Sequence, residues 1–345
     1  MTTTPPTICG LAPGRAPGLN PPRLIRLMKA AIERCQLDLN GRKVLTEAAN
    51  GAYVVTPVLA AMAGAQVSAL AAATSYATAD ELQAGTIELA RLAGVTERIQ
   101  LVEAKSPEDV AAADIVTNSG QVRPIDATMV AQMKPSAVVP LMYESWEFRQ
   151  SDLDLDACRR RRIPVAGTNE GHPAVDALAF VGNMAIKQLH DAGIAVYQSR
   201  IVLLCNNSFA PFITHTLRSA GADVVVAPGL TSGVLNPPCD AVLLALKPTS
   251  EVQLTEADAK LLGDLAEGAV LVQYWGDADR AALAAAGIPV WPPEAPRTGH
   301  MAVLPSAVGP EPVVRLQTGG LKVGELLAHG LDQARPEDRA LVQIL

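Results

Sequence analysis

Aromatic side chains are scarce in this chain, at 3% of 345 residues. The core must therefore be aliphatic, and each aromatic outside a strand or helix needs a reason. Basic charge is also short, with 28 Lys and Arg against 35 Asp and Glu for a net charge of −7. That balance argues against nucleic acid or an acidic membrane as the main partner, since both select a basic face. The run Arg159–Arg162 is local and reads as the end of a helix facing its own dipole. The five cysteines, Cys9, Cys35, Cys158, Cys205 and Cys239, show no C-x-x-C or Cys/His spacing. This disfavours a disulfide framework and a metal site, and it fits a reducing, cytoplasmic setting. No apolar run reaches membrane-spanning length, and residues 1–22 lack the charged start and apolar stretch of a leader. That Pro/Gly-containing segment reads as a flexible tail or an arm on the surface.

What the sequence does have is a repeated alternation of short apolar runs and amphipathic stretches. Strands are expected at 43–47, 66–71, 98–102, 114–117, 137–142 and 164–166, with helices at 22–36, 54–63, 79–92, 107–112, 126–132 and 153–162. In the first helix, Leu24, Leu27, Met28, Ala31 and Ile32 recur at helical spacing. A long helix over 173–193 leads into a second series, with strands at 201–204, 223–227, 241–245, 269–273 and 289–291 and helices at 209–220, 256–265 and 278–286. Short apolar strands separated by helices imply parallel sheets covered on both faces. The expected fold class is α/β, with two Rossmann-like domains and a cleft between them. Residues 23–172 form the first domain, joined by a terminal helical stretch at about 311–345, and residues 173–310 form the second.

The segment Ile201-Val-Leu-Leu-Cys-Asn-Asn-Ser-Phe-Ala-Pro-Phe-Ile213 has the strand, turn and helix order of a dinucleotide-binding unit. In such a unit a pyrophosphate sits against the helix N-terminus. Here the glycines are missing. Cys205, Asn207 and Ala210 stand where G-x-G-x-x-G would place them, and a Cβ at the first two positions hinders both the tight turn and the approach of a phosphate. The next strand ends Val226-Ala227-Pro228, without the acid that would hold a ribose. Asn206, Asn207 and Ser208 offer amides and a hydroxyl that suit neutral polar groups. Together with Cys205, Phe209, Lys247 and Trp275 they are the candidate cofactor contacts, with NAD or NADP as the cofactor in view. For Lys247 the alternative is a solvated lysine at a strand end.

From about residue 113 to 330 the chain resembles the D-isomer-specific 2-hydroxyacid dehydrogenases and, more distantly, the S-adenosylhomocysteine hydrolases. Asp114-Ile-Val-Thr-Asn-Ser-Gly120 is similar to the strand and loop that present substrate-binding amides, which gives Ser119 and Gly120 that role by resemblance. Leu153-Asp-Leu-Asp-Ala-Cys-Arg-Arg-Arg-Arg-Ile-Pro-Val165 is similar to the family's helix-to-strand phrase. Thr168-Asn-Glu-Gly-His-Pro-Ala-Val-Asp176 stands at its entry to the interdomain helix. Leu244–Thr249 and Ala269–Gly276 resemble the strands that flank the nicotinamide. The resemblance implies an NAD(P)-type oxidoreductase and a homodimer. Trp275 occupies the place of the family's catalytic arginine, and tryptophan cannot hold a 2-keto carboxylate by a bidentate ion pair. His300, in Thr298-Gly-His-Met301, is similar in place to the acid/base histidine, with Glu294 upstream as an orienting carboxylate. A thinner likeness to methyltransferases rests on Val44–Tyr53, whose turn carries one glycine, Gly51.

Tyr53, Tyr76, Tyr143, Trp146, Phe148, Phe209, Tyr274 and Trp275 all fall in or beside loops after strands. They either line a cleft for a partly flat ligand or seal the surface between the domains. His300 and His172 sit next to glycine in loops, where an imidazole can exchange protons with a ligand or simply face solvent. Glu170 and Asp176 flank His172, and Asp176 reads as the cap of the following helix. Ser119, Gly120, Tyr143, Glu144, Trp146 and Arg149 are the candidate substrate contacts. Glu144 and Arg149 either fix a ligand's amine and carboxylate or pair with each other. His300, His172 and Glu170 are the candidate catalytic residues. Three functions stay open: a divergent oxidoreductase acting on a small polar metabolite; a lyase, cyclase or transferase without a dinucleotide; and a non-catalytic binding or partner protein.

Overall fold

The computed structural model describes residues 16–75 and 77–345, so Cys9, Tyr76 and residues 1–15 of the expected tail lie outside the described residues. The remainder of that segment is ordered, because helix Pro21–Cys35 already begins at its end, with the Asn20 side chain accepting the Arg23 amide at 3.1 Å. Pro at the first helical position costs no hydrogen bond there. The chain forms two compact units, one running up to Ala177 and resuming over Gly309–Leu345, the other Leu178–Val308. No helix among the described residues is long and apolar enough to cross a membrane.

The first unit holds strands β1 (Lys43–Glu47), β2 (Gln66–Leu70), β3 (Ile99–Val102), β4 (Ile115–Val116), β5 (Val139–Pro140) and β6 (Val165–Thr168). They are parallel in the order β3-β2-β1-β4, joined through a bridge between Ile115 and Val138 to β5 and β6. Chain order reverses between β1 and β4, the place where open α/β sheets open a crevice for ligands. Val44, Leu45, Val67, Ile115 and Val139 are buried, as strands covered on both faces require. Helix Glu311–His329 packs on helices Pro21–Cys35 and Val55–Met62 and on the β5–β6 side of the sheet. It is buried almost all round, and its polar side chains are satisfied: Lys322 and Glu325 pair at 2.6 Å, and Gln317 accepts the Thr56 hydroxyl at 3.0 Å.

The second unit contains β7 (Arg200–Leu204), β8 (Asp223–Ala227), β9 (Ala241–Ala245), β10 (Val270–Trp275) and β11 (Val290–Trp291). All are parallel, in the order β11-β10-β9-β7-β8, with the reversal between β7 and β9. Their inward residues form a separate aliphatic core around Val202, Leu244 and Leu271.

Two expectations fail in the elements. The long helix over 173–193 is only Val181–Asp191, because Asp176 takes a left-handed backbone (φ 51°) and pairs with Arg315 at 2.6 Å, so it caps nothing. The terminal stretch is not helical to its end. Gly330 (φ 90°) stops the helix at His329, and the last residues form β12 (Val342–Ile344), antiparallel to β6. An edge strand of three residues leaves too little sequence for an alternating pattern to show.

Candidate functional site

At the C-terminal ends of β1, β4, β5 and β6, four short loops bring together Glu47, Asn118–Gln121, Tyr143–Glu147 and Glu170. Glu47 ends β1 and accepts the Gln121 amide at 2.9 Å. Gly120 is needed for this approach, since a Cβ there would collide with the Glu47 carboxylate. The loop that resembles a presenter of amides to a substrate thus gives one of them to an internal carboxylate. Ser119 is buried and bonded through its hydroxyl to Thr117 at 2.9 Å. Asn118 donates to the Tyr143 hydroxyl at 2.8 Å, and Arg123 holds Asn118 by its backbone and side-chain oxygens while its guanidinium lies 5.3 Å from the Tyr143 ring centre.

Beyond β5, the turn Ser145–Glu147 folds back over β6. Glu144 is buried, and both its oxygens accept N–H donors, from the Trp146 indole and from the Glu170 amide at 3.2 Å. Burial and the Glu144 charge push Glu147 up to about 7. Glu170 is raised well above the ordinary carboxyl value by burial and then by Glu147 and Glu144. Glu47 is raised by burial against the pull of Gln121 and Arg123. The Tyr53 phenol, pushed to about 12 by burial and then by Glu47, Glu170 and Glu147, faces the same group. Burial, which penalises the charged form, is the largest cause of each shift, and like charges add to it for Glu147, Glu170 and Tyr53. No group of three or more His, Cys, Asp or Glu side chains among the described residues is placed to hold a metal ion.

The structure therefore brings together Ser119, Gly120, Tyr143, Glu144, Trp146 and Glu170. Arg149 is exposed and reaches Asp152 at 3.9 Å instead of pairing with Glu144, and from there its charge acts on Tyr143 and Glu147. His172 spends both ring nitrogens on backbone, Nδ1 accepting from Ala174 at 3.2 Å and Nε2 meeting the Glu337 carbonyl at 3.0 Å, so neither is left for a substrate proton. Sequence reasoning does not single out Glu47, Tyr53, Arg123 or Glu147 as substrate or catalytic residues. Tyr53 and Glu147 fall in segments that carry a sequence signal, but their proximity depends on four loops distant along the chain.

In the second unit, the loop after β7 is sewn to the end of β9. Asn207 Nδ2 donates to the Ala245 carbonyl at 2.8 Å and its Oδ1 accepts the Phe209 amide at 3.0 Å, while Asn206 Oδ1 accepts the Lys247 amide at 3.0 Å. Cys205 is buried and Ser208 exposed. Phe209 packs its ring 5.3 Å from Trp275 and 6.4 Å from Tyr274, and all three are buried. These rings thus pack on one another and are closed off from solvent. The Trp275 indole donates to the Gly299 carbonyl at 3.2 Å and braces the loop carrying His300, whose Nδ1 lies 3.1 Å from the Thr298 carbonyl. Glu294 is exposed and forms no ion pair with His300. A pyrophosphate does not fit the loop after β7, for its turn carries side chains, its amides are bonded across the crevice, and the ribose acid is absent.

No protein-family model matches the chain. No curated protein matches it by sequence either. Its fold is shared with solved two-domain structures at low sequence identity. It is similar to a dipicolinate synthase chain from Bacillus halodurans, with a TM-score of 0.54 and 11% identity over 84% of this chain and 99% of that one. The corresponding dipicolinate synthase chain from Bacillus subtilis gives 0.53 and 11%, over 87% and 100%. NAD-dependent formate dehydrogenase from Staphylococcus aureus, solved in complex with NAD, gives 0.51 and 12%, over 82% and 94%.

Proposed function

We propose that this chain is an enzyme acting on a small polar metabolite at the carboxyl cluster of the first unit, with Glu147 and Glu170 as its acid/base pair. One observation carries the reading: two carboxyls at the C-terminal edge of a parallel sheet, raised first by burial and then by neighbouring carboxylates, one of them to about 7. A group with a pKa near neutrality both gives and takes a proton at working pH. The Tyr143 hydroxyl, which accepts from Asn118, still has a proton to offer for orientation, and the acidic surroundings favour a substrate carrying a hydroxyl or an ammonium.

The fold shared with an NAD-dependent dehydrogenase supports an oxidoreductase. In that case the pair would receive the proton of the hydroxyl or ammonium on the carbon being oxidised. The same pair serves a lyase, cyclase or transferase, and the misfit of the loop after β7 to a pyrophosphate favours that second class. Calorimetric titration with NAD, NADP and their reduced forms separates the two, because binding of none of the four removes the oxidoreductase. Within either class, Glu147→Gln is expected to lower turnover by about 10²–10⁴-fold, the usual worth of an acid/base. Full activity in that variant, with loss in His300→Ala, would transfer the role to His300, whose Nδ1 the Thr298 carbonyl already orients.

A further inference from the structure

The carboxyl cluster sits on loops that lie far apart along the chain. The turn Ser145–Glu147 has no side-chain cap of its own. Its first amide, Ser145 N–H, donates instead to Gln343 Oε1 at 2.8 Å, from the C-terminal strand β12. Gly167 of β6 lies directly beneath, where a Cβ would collide with the Ser145 nitrogen, so the turn rests on bare backbone. In the β12–β6 pairing Gln343 stands opposite this same Gly167.

The strand also holds the other carboxyl-bearing loop. The Asn169 amide donates to the Leu341 carbonyl at 2.8 Å, and its side chain to the Ala340 carbonyl at 2.9 Å. The neighbouring Glu170 amide reaches Glu144. Leu341 anchors the segment in the core of the unit. One terminal segment thus spans the two loops that carry Glu144, Glu147 and Glu170, and Gln343 is the side chain by which it grips the turn.

We propose that Gln343 is a positioning residue: through Ser145 it holds the Ser145–Glu147 turn closed over β6, so that Glu144, Glu147 and Glu170 stay together and out of water. The inference rests on the acid/base reading of these carboxyls. Without the acceptor, a part-buried N–H is left unpaired, and the turn regains its hydrogen bond by swinging toward solvent. Water then reaches Glu147 and Glu170, and they lose their protons at lower pH.

The test is a carboxyl carbon NMR titration of the full-length protein labelled at its glutamates, with Glu147→Gln identifying the Glu147 resonance. Wild type is expected to show glutamate titration near neutrality. Gln343→Met, which keeps length and loses the acceptor, is expected to shift that midpoint down by about one pH unit, a tenfold change in acidity. Gln343→Glu keeps an acceptor oxygen and is expected to hold the midpoint at or above the wild-type value. Should Gln343→Met not fold, Gln343→Asn, polar but one methylene too short to reach Ser145, takes its place. An unchanged midpoint in the folded variant overturns the positioning role and leaves the acid/base reading intact. Absence of any near-neutral glutamate titration in wild type overturns the acid/base reading itself.

Discussion

Glu147 joins residue chemistry to stability. Its carboxyl is raised from 4.5 to about 7 in the folded protein, so the folded state binds the proton more tightly than the unfolded chain does. The stabilisation is fully present below 4.5 and is lost as pH rises through about 7. The melting temperature of wild type is expected to fall across that window, and Glu147→Gln to remove much of the fall, being the more stable protein at alkaline pH by about 1–3 kcal/mol. Scanning calorimetry at stepped pH checks this; parallel curves for the two proteins would contradict it. In the second unit, Asn207 makes one hydrogen bond across the crevice and one within its own loop. Asn207→Ala is expected to cost about 1–2 kcal/mol in denaturant unfolding. A neutral result would mean the loop is not held as described. Glu47 and Glu147 show why sequence reading falls short at this scale. A glutamate at a strand end or in a turn is ordinarily solvated, and it is chiefly burial in the folded chain that raises these two.

Among the elements, β12 and β6 decide where the carboxyls sit. Gly167→Ala places a methyl against the Ser145 nitrogen. It is expected to displace the turn, lower stability by about 1–3 kcal/mol and abolish the near-neutral titration, because relieving the overlap requires the turn to lift. Retention of that titration in a folded Gly167→Ala protein would mean the turn tolerates the shift. Most elements were legible from apolar periodicity and end signals. Thr78 with Glu81 and Thr255 with Asp258 form reciprocal caps that start helices Ala79–Ala93 and Glu256–Leu265 where the pattern places them. The helix Val181–Asp191 was overextended because Val175 to Phe180 is apolar enough to pass for helix. The left-handed turn at Asp176, fixed by Arg315 from far along the chain, has no local signature.

For the whole molecule, the described cysteines Cys35, Cys158, Cys205 and Cys239 are all buried free thiols, and burial pushes Cys35 and Cys158 up to about 11. A thiolate-selective reagent is therefore expected to modify at most one of the five cysteines rapidly in the native protein, and all five after unfolding. Rapid native reaction of two or more would show that a unit opens readily. The alternation of short aliphatic strands with amphipathic helices was enough to specify two α/β units, because burial on both faces of a parallel sheet leaves a strong local pattern. The missing glycines after β7 were equally plain, since backbone freedom depends on the residue itself. Which carboxyls are buried beside one another, which asparagines close a crevice, and that the last strand straps two loops together came only with the folded chain. Those outcomes depend on groups far apart in sequence meeting out of water, where the energies of charge and of unpaired hydrogen-bond donors are set by neighbours.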